Sequence, residues 1–297
     1  MYLTLNEHLT RPPVVQAPQY RVHTLHEKGS SDVNEDRLIA GEGLYGVFDG
    51  ATSLGSTPLV SGKTGGALAA QIAKDTFAGA DSALVDTAIE ANRRIGLAQI
   101  SAGVDINERL GLWSTSMAVV RIAEEKVEFC QTGDALIMLL HEDGSYRFLT
   151  PEIDIDRETM VLWKKLNDSP KSKGNSIYTA LNQQILKVRL LMNREYGVLN
   201  GEPEAVDFIR HGSEDLTGVT DIILFTDGLY LPKEDPEQTT DWSTFIQIYR
   251  KSGLQGVGDC VRRLQNSDPA LHIYPRFKMH DDIASISLSL YDPRQIL

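Results

Sequence analysis

Residues 44–50 read LYGVFDG, a short apolar run that ends on Asp49 and Gly50. The run contains a β-branched and two aromatic residues, so it predicts a buried β-strand with an acidic side chain at its end. Residues 221–228, DIILFTDG, repeat this arrangement and place Asp227 and Gly228 after a second apolar strand. Both strands therefore carry a carboxylate to the point where the chain leaves the core.

Further strand patterns surround these two. Residues 117–122 and 126–131 are joined by Ala-Glu-Glu, and residues 135–140 and 145–149 flank His-Glu-Asp-Gly. Both pairs predict hairpins, the second more strongly because Asp-Gly favours a tight turn. Residues 283–290 are the last predicted strand, and the short turn-linked segments favour antiparallel sheets.

Two helix-rich intervals separate the strands. Residues 59–103 and 241–266 carry apolar residues at three- and four-residue steps, and glycine divides each interval, which predicts a pair of helices in each. The sequence thus predicts the α+β class: a four-layer α/β/β/α sandwich of two antiparallel sheets flanked by helix pairs. A further helical stretch, at about residues 150–200, is too long for an ordinary connection and predicts an insertion or a mobile flap over the site.

Composition and organisation limit the ligands and the location. Residues 1–20 are expected to be a loosely packed lead-in, and residues 21–292 one domain without repeats or linkers. The formal net charge of −12 argues against nucleic acid as the main ligand. No window approaches the roughly 18 apolar residues of a membrane span. The N-terminus does not read as a secretory leader, and Cys130 and Cys260 lack partners at metal-binding spacing, so we expect a cytoplasmic protein with reduced cysteines.

Acidic residues recur where the predicted strands end. Asp134 follows Gly133 at the end of one strand, and Asp281 and Asp282 stand just before another, like the two Asp-Gly pairs. Strand ends from distant parts of a sandwich can meet at one edge, and carboxylates there repel one another unless cations neutralise them. Hard divalent ions such as Mg²⁺ or Mn²⁺ prefer carboxylate, carbonyl and water ligands. The set therefore predicts a shared metal site.

Together the motifs resemble those of the metal-dependent protein serine/threonine phosphatases (type 2C, the PPM family). They occur in that family's order and span about residues 20–292. Each motif alone is weak, whereas the ordered set is a strong signal. The matching segments are Asn-Glu35-Asp36, Val-Phe-Asp49-Gly50, Trp-Ser-Thr115-Ser, Thr-Gly133-Asp134-Ala, Phe-Thr-Asp227-Gly and Asp281-Asp282-Ile-Ala.

The resemblance implies that two divalent ions, Mn²⁺ or Mg²⁺, bind at these motifs. Asp49 would bridge the ions, and the Gly50 carbonyl would bind one of them. Asp227 and Asp281 would hold the other ion. Of the two adjacent aspartates, Asp281 aligns with the family's metal ligand and Asp282 with the residue beside it.

The same resemblance gives supporting roles to four more residues. Glu35 and Asp36 would contact the second ion directly or through its waters. Asp134 would help to bind a third, weaker ion, and Thr115 lies on the strand beside it. The implied reaction is hydrolysis of phosphoserine or phosphothreonine in proteins by a water activated between two ions. The implied partners are a phosphorylated protein and the kinase that produces it.

Three departures from the family pattern concern phosphate recognition and mechanism. Family members often carry an Arg four residues before Glu35, where it grips the substrate phosphate, and here that position is Ser31. Arg37 is the predicted replacement, with Lys28 as the alternative, although no motif places either. The segment after the first Asp-Gly lacks a His that would act as an acid, and Trp113 stands where Gly is common.

Three other patterns carry less weight. Residues 61–64, SGKT, suggest a phosphate-binding loop, but such a loop needs Gly five residues earlier, where Thr57 stands. The prediction is instead the start of a helix. His280 is the one histidine that is a candidate proton donor, because it adjoins Asp281. The basic tract at residues 171–173 is expected to be a solvated loop.

Two alternative functions stay open. Loss of the phosphate-gripping Arg is compatible with a catalytically weak PPM-fold regulatory or binding module. A phosphatase of small phosphorylated metabolites would instead hydrolyse sugar or amino-acid phosphates at comparable rates, with no preference for peptides.

Overall fold

The apolar runs of the sequence fold as the strands of two sheets. The computed structural model describes residues 20–51, 62–167 and 177–290. In chain order, the strands within these ranges are β1 (Tyr20–Glu27), β2 (Arg37–Gly41), β3 (Leu44–Ala51), β4 (Ser114–Ala123), β5 (Lys126–Thr132), β6 (Leu136–His141), β7 (Tyr146–Phe148), β8 (Arg210–Asp215), β9 (Val219–Phe225) and β10 (Ile283–Leu290).

Each sheet has five strands, and all neighbouring strands are antiparallel. The β3 sheet has the order β2-β3-β4-β5-β8, and the β9 sheet has the order β1-β10-β9-β6-β7. The two predicted hairpins are confirmed as the pairs β4–β5 and β6–β7. The sequence order of the strands differs from their spatial order, so distant motifs come to neighbouring strands.

The central strands of each sheet are buried on both faces, which explains why several of them read as continuous apolar runs. In β6, Ile137 and Leu139 point into the layer between the sheets, whereas Leu136 and Met138 pack against the helix outside. In β3, Val47 likewise faces the opposite sheet. Alternate residues of one strand therefore belong to two separate apolar clusters.

Helices cover the outer face of each sheet, as predicted for the four-layer sandwich. The β3 sheet is covered by α1 (Gly65–Ala78) and α2 (Leu84–Ser101), and the β9 sheet by α6 (Trp242–Ser267). α6 is broken at Gly253, whose φ of 65° is not helical. The second predicted helix pair is thus confirmed as two helical segments that meet at a kink at Gly253.

The SGKT segment begins α1. The Thr64 hydroxyl caps this helix and accepts a hydrogen bond from the Ala67 N–H at 3.2 Å. Gly65 leaves room for Trp113, because a Cβ at this glycine would lie 2.1 Å from the indole ring. The predicted helix start is confirmed, and the unusual Trp113 packs against a glycine of α1.

The insertion carries α3 (Arg157–Asn167), α4 (Ile177–Ala180) and α5 (Asn182–Arg189). Its C-terminal end is tied to the β3 sheet, because Thr115 and Leu199 exchange backbone hydrogen bonds of 3.1 and 2.9 Å. Arg109 adds a second tie through a 2.6 Å ion pair with Glu202. The insertion is therefore packed onto the sandwich at the end that follows α5.

Some predictions fall partly or wholly outside the described residues. These are the lead-in at residues 1–20 apart from Tyr20, which begins β1, the positions of Thr57 and Ser61, and the basic tract at residues 171–173. Within the described ranges, no helix combines the length and apolar character that a bilayer crossing needs. Cys130 and Cys260 are both free thiols.

Candidate metal centre

Five aspartates line one cavity of about 160 Å³, and four of them come from the sequence motifs in distant parts of the chain. Asp49 lies in β3 opposite Ser116 of β4. Asp227 begins a short 3₁₀ helix directly after β9, and Asp281 precedes β10. Asp134 lies between β5 and β6. The strand ends of both sheets therefore meet at one edge of the sandwich, as the sequence pattern predicts.

A tight turn aims Asp134 at this edge. Gly133 has a φ of +80°, and a Cβ there would lie 2.4 Å from the Ser116 Cβ, so glycine meets both the conformation and the space. The Tyr230 hydroxyl donates a 2.7 Å hydrogen bond to the carbonyl of Asp134. The main chain of this residue is thus held on two sides.

Gly50 brings the beginning of α1 against the end of β3. A Cβ at Gly50 would lie 2.5 Å from the Gly66 carbonyl oxygen and 2.7 Å from that of Glu35. Gly50 also lines the cavity beside Asp49. The glycine of this motif is therefore required by packing as well as by its place in the site.

Burial and mutual repulsion raise the pKa values of the cavity aspartates. Burial and then the charges of Asp36 and Asp227 hold the pKa of Asp49 well above its usual range. Burial, followed by the charges of Asp281 and Asp134, raises the pKa of Asp227 to about 7. Without added cations, part of this cluster is therefore protonated near neutral pH.

This donor set fits hard divalent ions. The five cavity carboxylates and the Gly50 backbone supply oxygen donors, which Mg²⁺ and Mn²⁺ prefer. Within the described ranges, no group of three His, Cys, Asp or Glu side chains forms a metal cage by itself. The arrangement therefore fits an ion that takes part of its coordination from carbonyl oxygens and water, as Mg²⁺ does.

The two adjacent aspartates have different surroundings. Asp281 lines the cavity. Asp282 is 2% exposed, and its carboxylate accepts hydrogen bonds from the backbone N–H groups of Gly29, at 2.6 Å, and Glu35, at 2.7 Å. Asp282 thus joins the β1–β2 connection to the start of β10, whereas Asp281 faces the cavity.

Glu35 and Asp36 lie behind the cavity and do not line it. The Glu35 carboxylate accepts a hydrogen bond from the Thr64 hydroxyl at the start of α1. Asp36 accepts a 2.7 Å hydrogen bond from the Thr226 hydroxyl, and burial raises its pKa. Since the charge of Asp36 also raises the pKa of Asp49, Asp36 acts on the site electrostatically.

The structure does not bring Arg37 to the cavity. Its guanidinium donates to the carbonyl oxygens of Asn34 and Asp36, at 2.7 and 2.6 Å, and to the Gln71 side chain at 2.9 Å. The physical reason is the position of Arg37 at the start of β2, from which the side chain reaches α1. Arg37 therefore fixes the loop before β2, and the phosphate contact predicted for it has no counterpart in this geometry.

Three further candidates also lie outside the cavity lining. Lys28 is bonded to the Asp32 carbonyl at 3.3 Å. His280 contacts the Asn266 side chain at 2.9 Å. The Thr115 hydroxyl donates to the carbonyl of Ser116 at 2.9 Å, and it is Ser116 that reaches the cavity.

The cavity contains three charged residues that the sequence motifs did not indicate, namely Asp156, Arg189 and Lys278. Burial, and then the charge of Asp227, raises the pKa of Asp156 to about 7. The Lys278 ammonium lies 2.8 Å from the Asp281 carboxylate. Its position three residues before Asp281 was a signal in the sequence, whereas nothing in the insertion pointed to Asp156 or Arg189.

The insertion supplies most of the apolar side of the cavity. Tyr178 of α4 packs against Phe277, with ring centroids 5.7 Å apart. The insertion therefore reaches over the acidic cluster and narrows the approach to it. The apolar residues that line the cavity are Ile155, Tyr178, Ile185, Val188, Tyr196, Val198 and Phe277.

Solved structures of bacterial PPM-type serine/threonine phosphatases share this fold. The serine/threonine phosphatase PstP/Ppp of Mycobacterium tuberculosis is 16% identical, with a TM-score of 0.55 over 92% of this chain and 99% of that one. PppA of Pseudomonas aeruginosa is 15% identical, with a TM-score of 0.55 over 93% and 99%. Stp1 of Staphylococcus aureus is 13% identical, with a TM-score of 0.56 over 93% and 96%.

A structure of the PstP catalytic domain, similar to this chain with a TM-score of 0.54, is a complex with two manganese ions. No known family model matches the chain. No curated protein matches it in sequence. The resemblance expected from the ordered motifs is thus confirmed at the level of the fold.

Proposed function

We propose that this protein is a divalent-metal-dependent phosphatase that hydrolyses phosphoserine or phosphothreonine in proteins. The observation that carries the proposal is the meeting of Asp49, Asp134, Asp227 and Asp281 at one cavity. This cavity lies in a fold shared with bacterial serine/threonine phosphatases. Fold and acidic cluster together favour phosphoryl transfer to water over other hydrolytic chemistry.

We assign the metal ligands among the residues at the cavity. Asp49 and the Gly50 carbonyl would hold two Mn²⁺ or Mg²⁺ ions together with Asp227 and Asp281, and Asp134 would support a third. When bound, the ions would neutralise charge on the phosphoryl group and make a water molecule more acidic. Cysteine and serine nucleophiles are not part of this scheme.

Glu35 and Asp36 would have indirect roles in the same site. Glu35 holds the cap of α1 and Asp36 is held by Thr226, so their carboxylates would act through water and through charge. This arrangement is consistent with the indirect contact to the second ion, through its waters, that the family resemblance allows for both residues.

Phosphate recognition is assigned to Arg189. Only two basic residues occur among those described as lining the cavity, and one of them, Lys278, contacts Asp281. Arg189 ends α5 and comes within 3.5 Å of the Ser114 hydroxyl, at the edge of the site. An arginine offers several donors to phosphate oxygens, so Arg189 would replace the arginine that is missing at Ser31.

The test is Mn²⁺-stimulated hydrolysis of an aryl phosphate and of a phosphopeptide. We expect Asp49→Asn to reduce the rate about a hundredfold or more, since it removes the bridging ligand. Chelation should abolish the wild-type rate, and added Mn²⁺ should restore it. Activity that survives both chelation and Asp49→Asn would contradict the proposal.

The same assay separates the alternatives. Metal binding without turnover of any phosphoester would favour a PPM-fold binding module. Comparable rates on free sugar or amino-acid phosphates, with no preference for the phosphopeptide, would favour a phosphatase of small metabolites. A preference for phosphopeptides over both supports a protein substrate and, with it, a partner kinase.

A further inference from the structure

Lys278 lies among the carboxylates of the candidate metal centre. Its ammonium is 2.8 Å from the Asp281 carboxylate, and its side chain is 24% exposed. Burial acts to lower the pKa of Lys278, but attraction to Asp281, Asp49 and Asp282 holds it above its ordinary value. The lysine is therefore charged and shares its acidic neighbours with the ions proposed above.

The loop that carries Lys278 is fixed by a buried ion pair. Asp268 is 4% exposed, and its carboxylate accepts backbone hydrogen bonds of 2.9 to 3.0 Å from residues 272–274. Arg276 pairs with Asp268 at 3.1 Å and donates to the carbonyls of Gln265 and Tyr274. A loop held by so many bonds gives its side chains defined positions.

The insertion holds the same loop from the other side. The Trp163 indole of α3 donates to the Leu271 carbonyl at 3.2 Å. The Lys164 ammonium donates to the carbonyls of the two residues after Leu271, at 3.0 and 3.1 Å. Phe277, next to Lys278, packs on Tyr178. The position of Lys278 is thus built by contacts on two sides, unlike that of a lysine in a typical surface ion pair.

We propose that the Lys278 ammonium is a resident counter-ion of the acidic site and competes with divalent ions for Asp281. An ion that binds through Asp281 has to displace the ammonium or accept it as a like-charged neighbour. Either event weakens binding of the ion. Filling the site then requires a higher concentration of the divalent ion than the carboxylates would require without the ammonium. This inference rests on the proposed metal-dependent function.

The experiment is Mn²⁺ titration by calorimetry, with bound Mn²⁺ counted by electron paramagnetic resonance. Wild type is compared with Lys278→Met and Lys278→Gln, which remove the charge, and with Lys278→Arg, which keeps it. Lys251→Met, at an exposed position of α6, is the matched control. A thermal melt of each variant in chelator confirms that it is folded.

We expect Lys278→Met and Lys278→Gln to bind Mn²⁺ about tenfold more tightly than wild type, or to bind one more ion. Lys278→Arg and Lys251→Met should match wild type. If wild type binds Mn²⁺ and both neutral variants bind it equally or more weakly, the inference is overturned and the proposed function is left intact. No Mn²⁺ binding by wild type or by the neutral variants would overturn both.

Discussion

At the residue scale, the pair Asp281 and Asp282 shows how neighbouring identical side chains take different tasks. Strand β10 begins at Ile283, so the two aspartates just before it point in different directions. Asp282 accepts two backbone hydrogen bonds from the β1–β2 connection, and Asp281 faces the cavity. Substitutions at the two positions should therefore affect different properties.

We predict that Asp282→Ala lowers the free energy of unfolding by about 2–4 kcal/mol, because two partly or fully buried N–H donors lose their acceptor. Asp281→Asn should remain folded and lose Mn²⁺ affinity. Urea unfolding and Mn²⁺ titration of both variants measure these effects, with Asp32→Ala, at an exposed position, as the control. Equal loss of stability in the two variants would contradict the division of roles.

The pKa of Asp156 gives a prediction about pH. Burial and the charge of Asp227 raise this pKa from 3.8 to about 7, so the folded state favours the protonated carboxyl. The stability that this group contributes is present below its unfolded pKa and is lost as the pH rises through about 7. The metal-free protein should therefore melt at a lower temperature at about pH 8 than at about pH 5.5.

Asp156→Asn removes the titrating group and should reduce that fall in melting temperature. Melting curves in chelator across this pH range are the measurement. Asp32→Asn again serves as the control, since it changes an exposed carboxyl. An identical pH dependence in wild type and Asp156→Asn would show that other groups account for it.

At the element scale, Arg109, which lies just before β4, ties the end of the insertion to the sandwich. The Arg109 guanidinium forms two hydrogen bonds with the Glu202 carboxylate, at 2.6 and 3.0 Å, and also donates to the Leu190 carbonyl. Both charged side chains are less than one-fifth exposed. These bonds hold the chain on both sides of residues 191–201, just after α5.

We predict that Arg109→Ala loosens the insertion more than the sandwich. Limited proteolysis within residues 150–200 should become faster, and the free energy of unfolding should fall by about 1–3 kcal/mol. The KM for a phosphopeptide should rise more than kcat falls, because α5 carries Arg189. Arg93→Ala, which breaks an exposed pair with Glu90, is the control and should change none of these.

Most elements of the sandwich could be predicted from the sequence, because local patterns specify them. β6 is a continuous apolar run before an Asp-Gly turn, and the hairpin follows from both features. The kink in α6 was visible in the sequence as Gly253, which separates two apolar-periodic segments, and the structure has two helical segments there. The short-range signal was sufficient wherever neighbours in sequence are neighbours in space.

The candidate site was predictable only in part, for the same physical reason. The acidic residues at strand ends are marked by the strands that precede or follow them. Arg189, Asp156 and Lys278 reach the cavity through the packing of the insertion and the loop at residues 268–279, which are long-range contacts. Arg37 shows the converse, since its nearness to the acidic motif in sequence did not place it in the cavity.

At the scale of the whole molecule, ion binding should be linked to folding stability. A ligand that binds only the folded state at about a hundred times its Kd stabilises it by about 2.7 kcal/mol. Saturating Mn²⁺ should therefore raise the melting temperature of wild type, and chelator should reverse the rise. Asp49→Asn should show a much smaller rise. A shift of equal size in both proteins would mean that Mn²⁺ binds elsewhere.

The apolar clusters of the sandwich are separate from the acidic residues of the cavity. The layer between the sheets and the two helix–sheet layers contain the buried apolar side chains of the sandwich, whereas the aspartates lie at one edge beside the apolar clusters of the insertion. Apolar residues can therefore replace one another in the core without a change of fold, which explains how this chain shares its fold with phosphatases that are only 13–16% identical in sequence. Local changes at the edge leave this core in place.

The close approach of like charges at that edge creates a trade-off between thermal stability and metal-dependent activity. The burial and the mutual repulsion that raise the pKa values of Asp49 and Asp227 destabilise the metal-free fold. A laboratory selection for heat resistance alone, carried out in chelator, would therefore enrich amide replacements at these positions. The selected variants would be more stable proteins that had lost their metal-ligating side chains. Thermostability engineering of this chain therefore needs a simultaneous screen for metal binding.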